Sequence, residues 1–225
     1  MNLNELLELI EGGEGFHVEF KRKVPSPRKI AKSLIAFANT KGGCILFGVD
    51  DDGSIVGVES EKEEIELVRT SGEQFCSPPI AVTADIISYR GKDVIAATVA
   101  ESRSKPHFFV DDGNRGEPPR AYIRVNDKSV IASREVVRIL KDEDPDAPPL
   151  RLSVGENERR LFAYFDEHEQ ITLRELAHLV NISERRASRI LVQLVRAGVL
   201  RIHTLEKEDF YTLAKEPGET DLPQR

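Results

Sequence analysis

The chain has 225 residues, 40% of them apolar and 32% charged, with a net charge of −7 and two cysteines. This balance excludes a disordered or collagen-like chain, and it excludes a uniformly basic nucleic-acid binder, whose surface would have to neutralise phosphates. No apolar run approaches the roughly 20 residues of a membrane helix. Cys44 and Cys76 show no metal-type spacing, and "MNLNELLELIEGG" lacks the basic stretch of a signal peptide, so a reducing cytoplasm is the expected setting.

Leu6, Leu7 and Ile10 sit at helical spacing, and Gly12-Gly13 ends that helix. "HVEFK" (17–21) alternates polar and apolar and predicts a short strand. "SPRKIAKSLIAFANT" opens a second helix. Ser26 suits its N-cap, and Pro27 fits the first helical position, where a missing N–H costs nothing. Ile30, Leu34 and Phe37 share its inner face. Gly42-Gly43 permits a positive-φ turn into the strand 44–49. "DDDG" (50–53) is a turn, and 55–58 is expected to return as a strand. Ser60 and Glu63 make a capping box for a helix reaching Gln74, which Pro78-Pro79 then breaks. "AVTADIISY" and "VIAATVAES" predict a hairpin around "RGKD". A strand at 107–110, a strand and turn at 121–127 and a helix at 133–143 complete the region. The expected class is α/β (α+β), with a mixed, largely antiparallel sheet and flanking helices.

"DEDPDAPPL" is acidic and proline-rich, as a linker would be. The domain plan is therefore 1–141, a linker at 142–153, a second domain at 154–215 and a tail at 216–225. In the second domain "NERRLFAYFDEH" is an amphipathic helix with Leu161, Phe162 and Phe165 inward. Thr172 and Glu175 form a capping box for the helix 173–180. Ser183 is placed to cap the helix 184–197, and Gly198 closes it. Two short strands flank "TLEKE". This order resembles a winged helix-turn-helix over about 157–213, in which the second helix of the motif enters the major groove. Here that helix places Ala187, Ile190, Leu191, Leu194 and Val195 inward. Arg185, Arg186, Ser188, Arg189 and Gln193 are expected outward, facing DNA. Guanidiniums suit phosphates and guanine edges, and glutamine pairs with adenine. The acidic turn argues against the wing itself meeting a phosphate backbone.

A tight Gly-Gly turn followed by a buried strand ending in three aspartates has three readings. A phosphate loop is disfavoured, because no G-x-x-x-x-G-K-[ST] occurs and the order runs helix, glycines, strand. A metal site would need Glu14, Glu19 and Asp50 to converge on Mg²⁺ or Mn²⁺. The plainest reading is a turn, since Asp-Asp-Gly is common turn chemistry. Nearby, Lys21, Arg22, Lys23, Arg28 and Lys32 form a basic patch able to hold a nucleic-acid backbone. Asn39 is expected to hydrogen-bond the Gly-Gly turn, His107 to be a satisfied core histidine, Arg124 to pair with a carboxylate, and Cys44 to act as a small buried hydrophobe.

The stretches "EGFHVEFKRK", "AFANTKGGCILFGVDDDGSIVG", "KPHFF" and "YIRVNDKSV" resemble the Schlafen AlbA-like domain, over roughly residues 6–140. Members in bacteria and archaea often carry a C-terminal winged helix and are described as DNA-binding regulators. In nuclease members, which cleave transfer and ribosomal RNA, two glutamates five residues apart and the first aspartate after "GV" form the metal-dependent site. Glu14, Glu19 and Asp50 stand at those positions. Those nucleases pair two lobes around a basic cleft, whereas this chain has one lobe and is acidic, so a homodimer would restore the pair. The expectation is a homodimeric transcriptional regulator that binds DNA. The alternative is a metal-dependent endoribonuclease acting on RNA.

Overall fold

A computed structural model describes residues 1–111, 118–142, 154–205 and 208–214. They fall into two compact units that divide between Ala132 and Ser133. The expected linker beyond 142 and the tail at 216–225 lie outside the described residues.

In the first unit, helix α1 (Leu3–Gly12) begins with a reciprocal cap. Glu5 N–H donates to Asn2 Oδ1 at 3.0 Å, and Asn2 N–H donates to Glu5 Oε2 at 2.8 Å. Strand β1 (Val18–Lys21), helix α2 (Pro27–Asn39) and strand β2 (Gly43–Phe47) follow, with β1 and β2 parallel and Val18 opposite Cys44. After helix α3 (Glu61–Gln74) and the two-residue strand β3 (Cys76–Ser77) comes a hairpin of β4 (Thr83–Tyr89) and β5 (Lys92–Val99). The four-stranded sheet has the order β1-β2-β5-β4, and its β2–β5 and β5–β4 pairings are antiparallel. Short β6 (Phe108–Phe109) pairs with β3, and β7 (Tyr122–Val125) forms its own hairpin with β8 (Lys128–Ile131).

The sheet is apolar on both faces because helices cover both. Ile45, Phe47, Ile95 and Ala97 pack with Ile30, Leu34 and Phe37 of α2. Cys44, Leu46, Val94 and Ala96 pack on the opposite face with Leu6 of α1. A central strand buried on both sides loses the polar alternation of a half-exposed one, which is why β2 reads as an unbroken apolar run. The turn into β2 needs both glycines. Gly42 has φ 71°, and a side chain on it would come within 2.7 Å of the Val99 carbonyl. One on Gly43 would strike the Phe37 ring.

In the second unit, helices α4 (Arg134–Asp142) and α5 (Glu156–Phe165) precede the two-residue strand β9 (Ile171–Thr172). Helices α6 (Leu173–Leu179) and α7 (Glu184–Arg196) and strands β10 (Leu200–His203) and β11 (Phe210–Leu213) complete it. The three strands form one antiparallel sheet in the order β10-β11-β9. Leu161, Ile171, Leu176, Leu191, Leu194 and Tyr211 form the core. The Thr172–Glu175 box forms as expected, at 2.7 and 3.3 Å.

The class is the expected mixed α+β, with mostly antiparallel pairing. No helix among the described residues is long and apolar enough to cross a membrane. Several local expectations are corrected. Residues 55–58 do not form a strand. Ile55 makes one isolated bridge to Val49, while Val56 and Gly57 both donate to the Gly48 carbonyl. Ser26, Ser60 and Ser183 occupy N-cap positions without a side-chain cap bond. Asn39 does not serve the Gly-Gly turn. It is buried where α2 meets β7, and its amide donates to the carbonyls of His107 and Tyr122, each at 3.0 Å. Its Oδ1 accepts from His107 N–H at 2.7 Å.

His107 is satisfied as expected, its ring nitrogens facing the Pro78 carbonyl at 2.7 Å and Ser102 Oγ at 2.6 Å. Burial holds its pKa below the ordinary histidine value, with the Pro78 hydrogen bond acting the other way. Burial also pushes the thiols up, Cys44 to about 11 and Cys76 to about 12.

Two outcomes are expected. Asn39→Ala leaves three buried backbone groups without partners and should lower unfolding free energy by roughly 2–4 kcal/mol, measurable by urea titration. A histidine whose folded pKa is depressed contributes stability that is complete above its unfolded value of about 6.5 and is lost as pH falls through the folded value. The urea midpoint should therefore drop between about pH 7 and pH 5, and His107→Gln should flatten that decline.

Candidate nucleic-acid interface

Helix α7 has three faces rather than two. Ala187, Ile190, Leu191 and Leu194 enter the core of the second unit. A second buried stripe faces α4. Ser188 is 3% exposed, donates to Glu135 Oε1 at 2.5 Å and accepts from Arg138 Nη1 at 2.5 Å. Ser188 is therefore not on the outward face that the apolar periodicity suggests, because α4 supplies a partner the local pattern could not reveal. The third face is open. Arg185, Arg186, Arg189 and Gln193 are exposed, and none makes a hydrogen bond or ion pair among the described residues. They lie along rows three and four residues apart, so their long side chains share one side of the helix. Of the acidic turn between β10 and β11, Glu206 and Lys207 lie outside the described residues. Asp209 beside it is held above the ordinary carboxylate value by burial.

In the first unit, Glu14, Glu19 and Asp50 are each engaged by a different partner. Glu14 Oε1 accepts from Phe20 N–H at 2.7 Å, covering the free edge of β1. Glu19 is 7% exposed. Its Oε2 accepts from Arg124 Nη1 at 2.7 Å, and its Oε1 meets Ser33 Oγ at 2.9 Å and Lys21 Nζ at 3.0 Å. Arg124 also donates to Ser129 Oγ and the Gly15 carbonyl, and it lies 4.7 Å over the Phe37 ring. Asp50 pairs with Arg22 at 2.5 Å and accepts from Asp51 N–H. The aspartates after β2 behave as turn residues: Gly53 N–H returns to the Asp50 carbonyl, and Asp52 accepts from Ser54 N–H, which lowers its pKa. Among the described residues no three His, Cys, Asp or Glu side chains come together as metal ligands would. A divalent cation needs several free oxygens. A carboxylate already serving a buried guanidinium does not fit that role, and we derive no metal-dependent step from these residues.

The basic patch is partly committed to protein contacts. Lys21 faces Glu19, Arg22 faces Asp50, Arg28 pairs with Asp111 at 3.0 Å, and Lys32 lies over the rings of Phe109 and Tyr122. Lys23 is exposed and has no partner among the described residues. Lys29, absent from the expected patch, is equally free. It lines a cleft of about 250 Å³ with Lys21 and Ser33 over Ile30, Ile45 and Phe47. Its place one turn from Lys32 on an otherwise basic helix start was the available signal.

Among known proteins, the family model described as Schlafen, AlbA_2 matches residues 14–133, more than half of the chain. The N-terminal domain of a RecG-related protein from Nitrosomonas europaea is 22% identical over 60% of this chain and 96% of that one, with a TM-score of 0.43. The DIP2311 protein from Corynebacterium diphtheriae is 18% identical over 93% of this chain, with a TM-score of 0.47, and this chain spans 38% of its length. Likenesses at that level speak to neither substrate nor partner.

If Glu19 is a structural partner of Arg124, Glu19→Ala should cost about 3–5 kcal/mol by stranding a buried guanidinium. The double variant Glu19→Leu with Arg124→Met should recover much of that loss in urea unfolding.

Proposed function

The chain belongs to the Schlafen AlbA_2 family, which is associated with nucleic-acid binding, and from that premise we propose that it is a DNA-binding transcriptional regulator. The carrying observation is the open face of α7. Three guanidiniums and one amide stand exposed without partners among the described residues, in a chain whose net charge is negative. In an acidic protein such a concentration of free cations is an electrostatic footprint for phosphate. In this reading the unit 154–215 is a winged helix-turn-helix. Helix α6 braces α7 across the turn at 180–183, and α7 enters the major groove. Arg185, Arg186 and Arg189 meet phosphates and guanine edges, and Gln193 reads adenine. The first unit contributes a second basic surface through Lys23 and Lys29, with Lys21 and Arg22 beside them.

The endoribonuclease alternative would rest on Glu14, Glu19 and Asp50 acting together on Mg²⁺ or Mn²⁺. No observed geometry favours it over the regulator, because each carboxylate serves a separate structural contact.

Duplex binding should weaken steeply as salt rises, since each neutralised phosphate adds about 0.9 to the slope of log K against log salt. Replacing Arg186 alone by Ala should reduce that slope by about 1. Reversing Arg186 and Arg189 to Glu should remove binding in a fluorescence anisotropy titration at low salt, with thermal unfolding unchanged. Unaltered affinity in that double variant would overturn the assignment.

A further inference from the structure

Strand β4 ends the four-stranded sheet, and among the described residues no strand pairs with its outer edge. Edges of this kind are usually protected by lysine, proline, a bulge or brevity. β4 has none of these. It runs seven residues as "TADIISY" and pairs with β5 at every position from Thr83↔Thr98 to Tyr89↔Lys92. Its one charge, Asp85, is paired through Oδ2 with the Met1 ammonium at 2.7 Å. Ile86, at mid-strand, is 50% exposed.

The hairpin turn determines which backbone groups point outward. Arg90 and Gly91 both have positive φ, 49° and 76°, which is the type I′ arrangement. The carbonyl of Tyr89 then bonds the N–H of Lys92, so Tyr89, Ile87, Asp85 and Thr83 direct their N–H and C=O groups toward β5. Ala84, Ile86 and Ser88 direct theirs toward the open edge.

We infer that β4 pairs antiparallel with β4 of a second copy of this chain, about a two-fold axis through Ile86, joining two four-stranded sheets into one. That register is self-complementary. Ile86 faces Ile86 of the partner subunit as a hydrogen-bonded pair, and Ala84 faces Ser88 on either side, giving roughly six backbone hydrogen bonds, two for each pair. No like charges oppose each other directly, since Asp85 falls opposite Ile87. A shift by one residue would set inward-pointing groups against outward-pointing ones and lose the ladder. The central pair also removes a half-exposed isoleucine from water, and β-branched pairs add a few tenths to about 1 kcal/mol at such positions. A second copy suits this edge better than an unrelated strand, because the strand alone satisfies the symmetry requirement of an isologous contact. This inference is independent of whether α7 binds DNA.

Sedimentation velocity of the full chain should show a dimer. Ile86→Lys should weaken the dimer at least about tenfold by placing two ammonium groups face to face, with the circular dichroism spectrum unchanged and the melting temperature no longer dependent on protein concentration. Position is tested by mild oxidation. Ile86→Cys should form a disulfide between two copies. Thr83→Cys, whose counterpart is Tyr89 of the partner subunit, should not. The native thiols are buried and do not compete. A wild-type chain that sediments as a monomer overturns the inference. So does a dimer that survives Ile86→Lys unchanged, or one that crosslinks through residue 83 and not through residue 86.

Discussion

A carboxylate and a guanidinium separated by 105 positions in the chain meet out of water, Glu19 on β1 and Arg124 on β7. Either charge alone in that place would cost several kcal/mol, so each makes the other's burial tolerable. The contact fastens the β7–β8 hairpin to the sheet, and the aromatic face of Phe37 beneath the guanidinium adds α2 to the same junction. Asn39 repeats the arrangement one layer away, closing α2 against the segment at His107 and against β7. The first unit thus depends on polar clamps between elements distant in sequence as much as on its apolar layers. The same commitment decides the chemistry of Glu19. Its oxygens are engaged by Arg124, Ser33 and Lys21.

The sequence carried most of the local architecture. The apolar run of β2, the hairpin around Arg90-Gly91, the glycine pair before β2 and the Thr172–Glu175 cap were legible because each depends on residues within a few positions of one another. What escaped had distant causes. Ser188 sits at a position that a helix wheel leaves polar and outward, yet α4 closes over it. Asn39 lies next to the Gly-Gly turn in sequence, but its partners are 68 and 83 positions away. The contacts of the acidic trio have distant causes too: spacing can bring carboxylates to neighbouring strands, but it does not reveal that Arg124, 105 positions on, meets Glu19. Serines 26, 60 and 183 show the limit of capping rules, since the position is readable and the rotamer is not.

The distribution of charge separates two kinds of basic residue. Arg22 and Arg28 are tied to aspartates at the surface, where an ion pair contributes roughly 0–1 kcal/mol. Such pairs can exchange a carboxylate for a phosphate at small cost. Arg185, Arg186 and Arg189 of α7 have no such carboxylate to exchange among the described residues. An overall negative charge then disfavours loose association with any polyanion, while one local face still permits it. Affinity built this way discriminates by geometry, because only a ligand that reaches that face escapes the repulsion of the rest.

The two thiols lie on opposite sides of the central sheet, Cys44 in the layer under α1 and Cys76 in the layer beneath α2. Burial keeps both in the unreactive protonated form. Each can meet an alkylating reagent only when its own layer opens. The molecule therefore carries two built-in chemical clocks, and their separate labelling rates would tell whether the halves of its interior breathe together or one at a time.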